Sequence, residues 1–200
     1  MKSGISVLIL AGGKSTRMGY PKAFLNIGKS VLIENIVDTY RGFTNNIHVT
    51  LNHEFATDQW QAYLRRMSNK VNLILNHNPE KGRFYSIKLG LAQITNSDYC
   101  FIHNVDNPVT SETIKSLIEN KNKDGYSVPA YNHKNGHPIL ISSKIITGVK
   151  KEDDDTLNWK DFLSRYDRCV VETGETSVLK NLNTPSEYED YLQVNGQYLY

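Results

Sequence analysis

Ile5-Ser6-Val7-Leu8-Ile9-Leu10-Ala11-Gly12-Gly13-Lys14-Ser15-Thr16-Arg17-Met18-Gly19-Tyr20-Pro21-Lys22 is the stretch on which the fold turns. Its opening, Ile5 to Leu10, is apolar except for Ser6. A short apolar run without alternation suits a strand buried on both faces, as parallel sheets require. A glycine pair follows the strand directly. Glycines leave backbone N–H groups open to a phosphate or a base with no Cβ in the way, and Arg17 and Lys22 bring the cations that a triphosphate needs. The segment reads as a strand running into a polyanion-binding turn. It is not a Walker A loop, because Gly28-Lys29-Ser30 has Ala23 where the leading glycine would stand, and Gly12-Gly13 does not extend to G-x-G-x-x-G.

Outward from this stretch the chain alternates between two periods. Leu32, Ile33, Ile36, Val37 and Tyr40 share one helical face, with Ser30 as the expected N-cap and Gly42 as the stop. Ile47, Val49 and Leu51 alternate as a strand, residues 55–67 have helical spacing and residues 71–75 offer a third strand. A short helix over residues 86–93 precedes a strand at 99–105, whose end carries Asp106-Asn107-Pro108, and residues 111–120 are helical again. Residues 126–131 and 138–141 read as strands about a polar turn, 132–136, and are expected to pair antiparallel. Residues 145–149 suit a short helix or turn, 150–155 a solvated charged loop, 157–166 a helix and 169–172 a last strand. Thr184-Pro185-Ser186-Glu187 has capping-box spacing with proline at the first helical position, so a helix opens there and runs to about Leu192. This rhythm predicts a three-layer α/β/α sandwich with a mostly parallel, Rossmann-like sheet and a small antiparallel extension. Ligands are expected at the carboxyl ends of the strands, after Leu10, Leu51, Leu75 and Val105.

With 200 residues, 39% hydrophobic and 22% charged, and with no linker or repeat, residues 1–200 are expected to form a single domain with its own core. Twenty-three basic and 21 acidic side chains leave a net charge of +2, too balanced for a protein that neutralises a nucleic-acid backbone. Any anion must be held locally. Cys100 and Cys169 belong to no C-x-x-C pair, which argues against a disulfide frame or zinc site and suits a reducing cytoplasm. His48, His53, His77, His103 and His133 show no metal-ligand spacing. No window approaches the ~18 consecutive apolar residues of a membrane span, so neither membrane association nor export is expected. Tyr188, Tyr191, Tyr198 and Tyr200 suit either a contact surface or a tail packed on its own sheet, consistent with a monomer or weak homo-oligomer.

Residues 10–25 read L-A-G-G-K-S-x-R-M-G-x-x-K-A-F-L, and Val105-Asp106-Asn107-Pro108, Gly136-His137-Pro138 and Asn181-Leu182-Asn183-Thr184-Pro185 follow in order. Together these motifs resemble the molybdenum cofactor guanylyltransferases and cytidylyltransferases, within the nucleotidyltransferases of nucleotide-diphospho-sugar transferase-like fold, over nearly the whole chain. The resemblance implies a Mg²⁺-dependent transfer of a nucleoside monophosphate from GTP or CTP to a phosphorylated acceptor, molybdopterin first among them, with release of pyrophosphate. It implies a catalytic set of Arg17 against the β- and γ-phosphates, Lys22 toward the α-phosphate and Asp106 as the metal ligand. Leu10, Ala11, Gly12 and Gly13, with Lys22, Asn52, Asn76, Gly82 and Arg83, would hold the nucleotide. His137 and Asn183 would serve the acceptor.

Departures from the pattern bear on selectivity. Relatives with two acids carry the second near the C-terminal T-P, where this chain has Asn183, so a one-carboxylate metal site is expected. L-A-G-G resembles the guanine-using branch, whereas residues 82–91 are closer to the cytidine-using one, and Phe84-Tyr85 stand where relatives usually carry small residues or Pro-Leu. Residues 152–157 lack the glycines and arginine of the relatives' acceptor loop. Two rivals stay open: a transferase acting on a sugar phosphate or phosphorylated alcohol, and a nucleotide-binding module without turnover.

Overall fold

The computed structural model describes residues 4–195. After β1 (Ile5–Ala11) come two very short strands, β2 (Asn26–Ile27) and β3 (Ser30–Val31), then α1 (Leu32–Arg41), β4 (Ile47–Asn52), α2 (Gln61–Ser68), β5 (Asn72–Asn76), α3 (Gly82–Ala92) and β6 (Tyr99–Asn104). The second half adds α4 (Ser111–Glu119), β7 (Tyr126–Tyr131), β8 (Lys134–Asn135), β9 (Ile139–Ser142), α5 (Ser143–Lys151), α6 (Trp159–Leu163), β10 (Arg168–Glu172) and α7 (Pro185–Asn195). The main sheet runs β10-β7-β9-β6-β1-β4-β5, with β8 paired on β7. β6, β1, β4 and β5 are mutually parallel, and β9 runs against both β6 and β7.

β1 sits inside this sheet and is buried along its whole length. Val7, Ile9 and Ala11 face one core with Leu32, Ile36 and Tyr40 of α1, while Leu8 and Leu10 face the other with Ile87 and Leu91 of α3. Both faces are filled, which is why the run carries no polar alternation; each fully buried aliphatic side chain contributes about 1.5–3 kcal/mol. The α/β/α sandwich expected from the alternating periods is the observed architecture. α3 lies so close to the sheet that a Cβ on Gly90 would overlap the Leu8 side chain and stand 2.9 Å from Thr50 Oγ1. That approach fixes where the N-terminus of α3 meets the strand ends.

Several local expectations are corrected. Ser30 is not the N-cap of α1: it belongs to β3, and the cap position falls to Val31, whose N–H donates to Glu34 Oε2 at 3.3 Å. Gly42 caps the helix end at φ −62°, so no left-handed conformation is required of it. Residues 53–60 form two 3-10 turns before α2 begins at Gln61. α3 opens at Gly82, a full turn before Ser86. The polar turn tightens to Asn132-His133, both with positive φ, as two-residue hairpin turns demand, so that Lys134 and Asn135 pair back on β7. Lys150 and Lys151 extend α5, and Asp155 is bound to Lys88 at 2.8 Å instead of standing free in a loop.

Tyr188 donates its hydroxyl to Asn26 O at 2.6 Å and packs with Tyr191 on the first core; Tyr198 and Tyr200 lie outside the described residues. Cys100 and Cys169 are free thiols. No described helix is long and apolar enough to cross a membrane.

Candidate active site

β1 has β4 on one side and β6 on the other, so the loops leaving β1 and β6 diverge from a shared edge where Val105 N–H donates to Leu10 O at 3.1 Å. Such a divergence opens a crevice at the carboxyl ends of parallel strands. Here it is a cleft of about 460 Å³, lined among others by Gly12, Gly13, Lys22, Asp106, His137 and Asn183. β9 explains the place of His137: because it runs against β6, the residues that precede it arrive at the end where β6 stops.

At one end of the cleft the Lys22 ammonium donates to Asp106 Oδ2 at 2.8 Å and to Asn183 Oδ1 at 2.6 Å. The pair is largely shielded, with side chains 13% and 19% exposed. Each partner is held from behind. A turn that bonds Met18 and Gly19 N–H to Ser15 O, both at 3.1 Å, delivers Lys22, and Phe24, stacked on Trp60 at 4.5 Å, anchors the next residues. Leu182 N–H donates to Asp106 O at 2.8 Å. Glu187 accepts from the N–H of Asn183 and of Thr184, both at 2.9 Å, the latter being the reciprocal bond expected of a capping box. The Asn183 bond leads the lowering of the Glu187 pKa.

Arg17 is not brought to this wall. It is exposed on the turn and absent from the cleft lining; its charge is felt by Glu187, at the rim. Gly13 is open, with nothing within 4 Å of where a Cβ would point, whereas a Cβ on Gly12 would stand 3.3 Å from Ser86 Oγ and 3.5 Å from Asn76 Nδ2. Gly12 therefore serves the packing of β1 against α3, and Gly13 the open face. Asn76 is buried behind the cleft, donating to Ser86 Oγ at 3.0 Å and accepting from Asn78 N–H at 2.9 Å. Asn52 is spent on the turn after β4, where its Oδ1 accepts from Glu54 N–H at 3.1 Å. Neither asparagine lines the cleft, whereas Leu10, Ala11, Gly82 and Arg83 all do.

A model of the MobA-like NTP transferase domain matches residues 7–169. The chain belongs to this family. It is accordingly an enzyme, a nucleotidyltransferase. It is similar, at 24% identity over 93% of this chain and 94% of the relative, to the molybdenum cofactor cytidylyltransferase of Escherichia coli (strain K12). A probable molybdenum cofactor guanylyltransferase of Natranaerobius thermophilus is 26% identical over 98% and 99% of the two chains. The 2-C-methyl-D-erythritol 4-phosphate cytidylyltransferase of Phocaeicola vulgatus is 29% identical over 54% of this chain and 50% of its own length. Among solved structures, a nucleotidyl transferase from Methanothermobacter thermautotroptrophicus superposes with a TM-score of 0.76 at 20% identity, covering 98% and 97% of the two chains. Rv0371c of Mycobacterium tuberculosis H37Rv, solved in complex with manganese, does so with 0.70 at 20% identity, covering 94% and 98%.

The electrostatics of this MobA-like domain keep two histidines neutral. His137 lines the cleft with its Nδ1 buried and unpartnered among the described residues; burial first, and then the Arg83 charge, push its pKa down to about 4, against Asp106. Arg83 is exposed overall, yet the protein crowded about it leads the lowering of its pKa, with Asp106 opposing. His103, which no motif of the sequence singled out, is fully buried behind Asp106. Its Nε2 lies 2.7 Å from Asn107 O, which can only accept, so Nε2 carries the proton and Nδ1 accepts from Tyr40 OH at 2.9 Å. Asn107 in turn donates to Asn181 Oδ1 at 2.7 Å and Lys180 O at 2.9 Å, tying the loop after β6 to the strap that carries Asn183. Only its buried, alternating place in β6 could have marked His103.

Burial lowers the His103 pKa to about 4, so between pH 6.5 and 4 the unfolded chain binds a proton there that the folded one does not. Stability is expected to fall by up to about 3 kcal/mol from this residue as pH drops through that window, and to level off below it. Denaturant melts across the window check this, with His103→Gln expected to start lower and to show a shallower profile, His137 supplying part of the remaining slope. A wild-type profile that is already flat would contradict a neutral buried imidazole.

Proposed function

We propose that this transferase moves the nucleoside monophosphate of Mg²⁺-bound GTP or CTP to a phosphorylated small molecule, with molybdopterin as the acceptor, in the cytoplasm. A phosphate oxygen of the acceptor attacks the α-phosphorus in line; the new P–O bond forms as the α–β P–O bond breaks, and the electron pair leaves with pyrophosphate. An ionised phosphate needs no base, so the protein's work is to orient the reactants and neutralise charge. The observation that carries this reading is Lys22 Nζ shared between Asp106 and Asn183 in the cleft that Gly13 also lines.

The donor set fits a hard divalent cation. One carboxylate oxygen and one amide oxygen already converge on a positive group, the ammonium, and Mg²⁺ typically takes one or two protein oxygens with the rest from phosphate and water. Asp106, assisted by Asn183, would hold the metal, which when bound supplies neutralisation of the phosphate oxygens. Lys22 serves the α-phosphate, Arg17 the pyrophosphate end from the rim, and His137 forms part of the wall that faces the acceptor.

Curated relatives named for guanylyl and for cytidylyl transfer support both nucleotides. Gly12 leaves no spare room for a base: a methyl there would press on Ser86 at 3.3 Å and on Asn76 at 3.5 Å. Gly12→Ala is expected to lower kcat/KM for GTP and CTP alike by about tenfold, through the displaced Ser86 wall; a loss confined to GTP would instead place Gly12 in base selection. A second reading, CTP with a phosphorylated alcohol, is favoured by the likeness to 2-C-methyl-D-erythritol 4-phosphate cytidylyltransferases. Pyrophosphate release from GTP and CTP in the presence of Mg²⁺, with molybdopterin, 2-C-methyl-D-erythritol 4-phosphate or a sugar 1-phosphate, tests these readings. Release with molybdopterin is expected, release with another acceptor alone moves the assignment, and nucleotide binding without release from any acceptor makes the domain a non-catalytic module.

A further inference from the structure

We propose that Lys22 is an exchangeable internal cation: in the free protein it holds Asp106 and Asn183 together, and it cedes them to the divalent metal as the triphosphate arrives, so that metal and nucleotide bind cooperatively. This rests on the nucleotidyl-transfer reading and adds the order of events at that site.

The ammonium lies 2.8 Å from Asp106 Oδ2 and 2.6 Å from Asn183 Oδ1, with two of its three donors engaged. Magnesium takes oxygens at about 2.1 Å, so an ion bound by the same two atoms would occupy the space the ammonium fills. The two cations exclude each other there. Asp106 is the only carboxylate among the described residues lining the cleft, whereas Lys22 and Arg83 are both cationic. A metal arriving alone would therefore meet a neutralised carboxylate and two positive groups. It would also have to drive a shielded ammonium off its acceptors with nothing to receive it.

The geometry also says which partner moves. Asp106 and Asn183 are set by backbone bonds, Leu182 N–H to Asp106 O and Asn183 N–H to Glu187, and by the Asn107 strap. Lys22 Nζ ends a flexible stem whose backbone is pinned by buried Ala23 and Phe24, so it can swing with its Cα in place. Triphosphate oxygens over Gly13 would receive the displaced ammonium and neutralise the incoming metal in one event. By linkage, whatever the nucleotide adds to metal affinity the metal adds to nucleotide affinity.

The test follows free Mn²⁺ by its electron paramagnetic resonance signal, titrating wild type and Lys22→Met with and without α,β-methylene-GTP or α,β-methylene-CTP. Without nucleotide, Lys22→Met is expected to bind Mn²⁺ at least about tenfold more tightly than wild type, and Lys22→Met/Asp106→Asn to lose that gain. Once the Mn²⁺ that the analogue chelates in protein-free solution is subtracted, saturating analogue is expected to tighten Mn²⁺ binding to wild type by a similar factor. That second measurement needs no variant, and an unchanged wild-type affinity overturns the proposal even if Lys22→Met does not fold. Joint binding of Mn²⁺ and analogue to wild type, with no gain for Lys22→Met on Mn²⁺ alone, sinks the exchange and leaves the transferase reading standing. Failure of Mn²⁺ and both analogues to bind wild type at all sinks the reading itself.

Discussion

Lys22→Ala is expected to lower kcat for nucleotidyl transfer by roughly 10²- to 10³-fold, the usual loss when one preorganised donor to a developing phosphate charge is removed. Its ammonium lies in the cleft beside Asp106, on the strand-end turn that leads from Gly13, and the other cation among the described residues lining that cleft, Arg83, comes from the start of α3. The stability cost should be small by comparison, about 1–2 kcal/mol, because Asp106 keeps some contact with solvent when its partner goes. Pyrophosphate release and a thermal melt on the same preparation separate the two effects. A rate within about threefold of wild type, the scatter of non-catalytic substitutions, contradicts the role of Lys22. The sign matters as well: this substitution lowers catalysis and yet, like Lys22→Met, is expected to improve binding of the bare metal.

Asp106→Asn is expected to move half-maximal activity to a metal concentration at least about tenfold higher and to depress the rate at saturating metal. Among the described residues the carboxylate carries the only negative charge lining the cleft, and Asn183 supplies just an amide oxygen beside it. With asparagine in place the Leu182 bond survives, since it goes to the main-chain carbonyl, so the strap stays in position and the effect is one of charge. Rate against Mg²⁺ concentration reads it out. An unchanged metal dependence would assign the metal to other groups, and a collapsed melt would assign Asp106 a structural role through its salt bridge to Lys22.

What local chemistry specifies was legible in the chain. The apolar run of β1, the helical faces of α1 and α4 and the capping box at Thr184 rest on periodicity and on bonds between residues three or four apart, which any reader of the sequence can see. The site motifs were legible for a related reason: a glycine turn after a buried strand and an aspartate after another have few other uses. The structure departs from the local pattern where distant packing intervenes. α3 begins a turn early, at Gly82, whose carbonyl accepts from Ser86 Oγ at 3.1 Å, and Gly12 proves to face Ser86 instead of solvent. Asn52 and Asn76 follow their strands as expected, yet their amides are consumed by Glu54, Asn78 and Ser86.

The amino-acid sequence alone determined the layered α/β architecture, the polyanion turn and the identity of the groups with chemistry to offer. Tertiary structure decided which of those groups meet. Lys22 and Asp106 are 84 residues apart and Lys22 and Asn183 161, and no periodicity reaches across such distances. They converge because β1 and β6 are neighbours in the sheet and the Asn107 strap brings the approach to α7 over their ends. Arg17, only five residues from Lys22, parts from it because the turn at Ser15 and Gly19 reverses the chain between them and leaves its guanidinium at the rim.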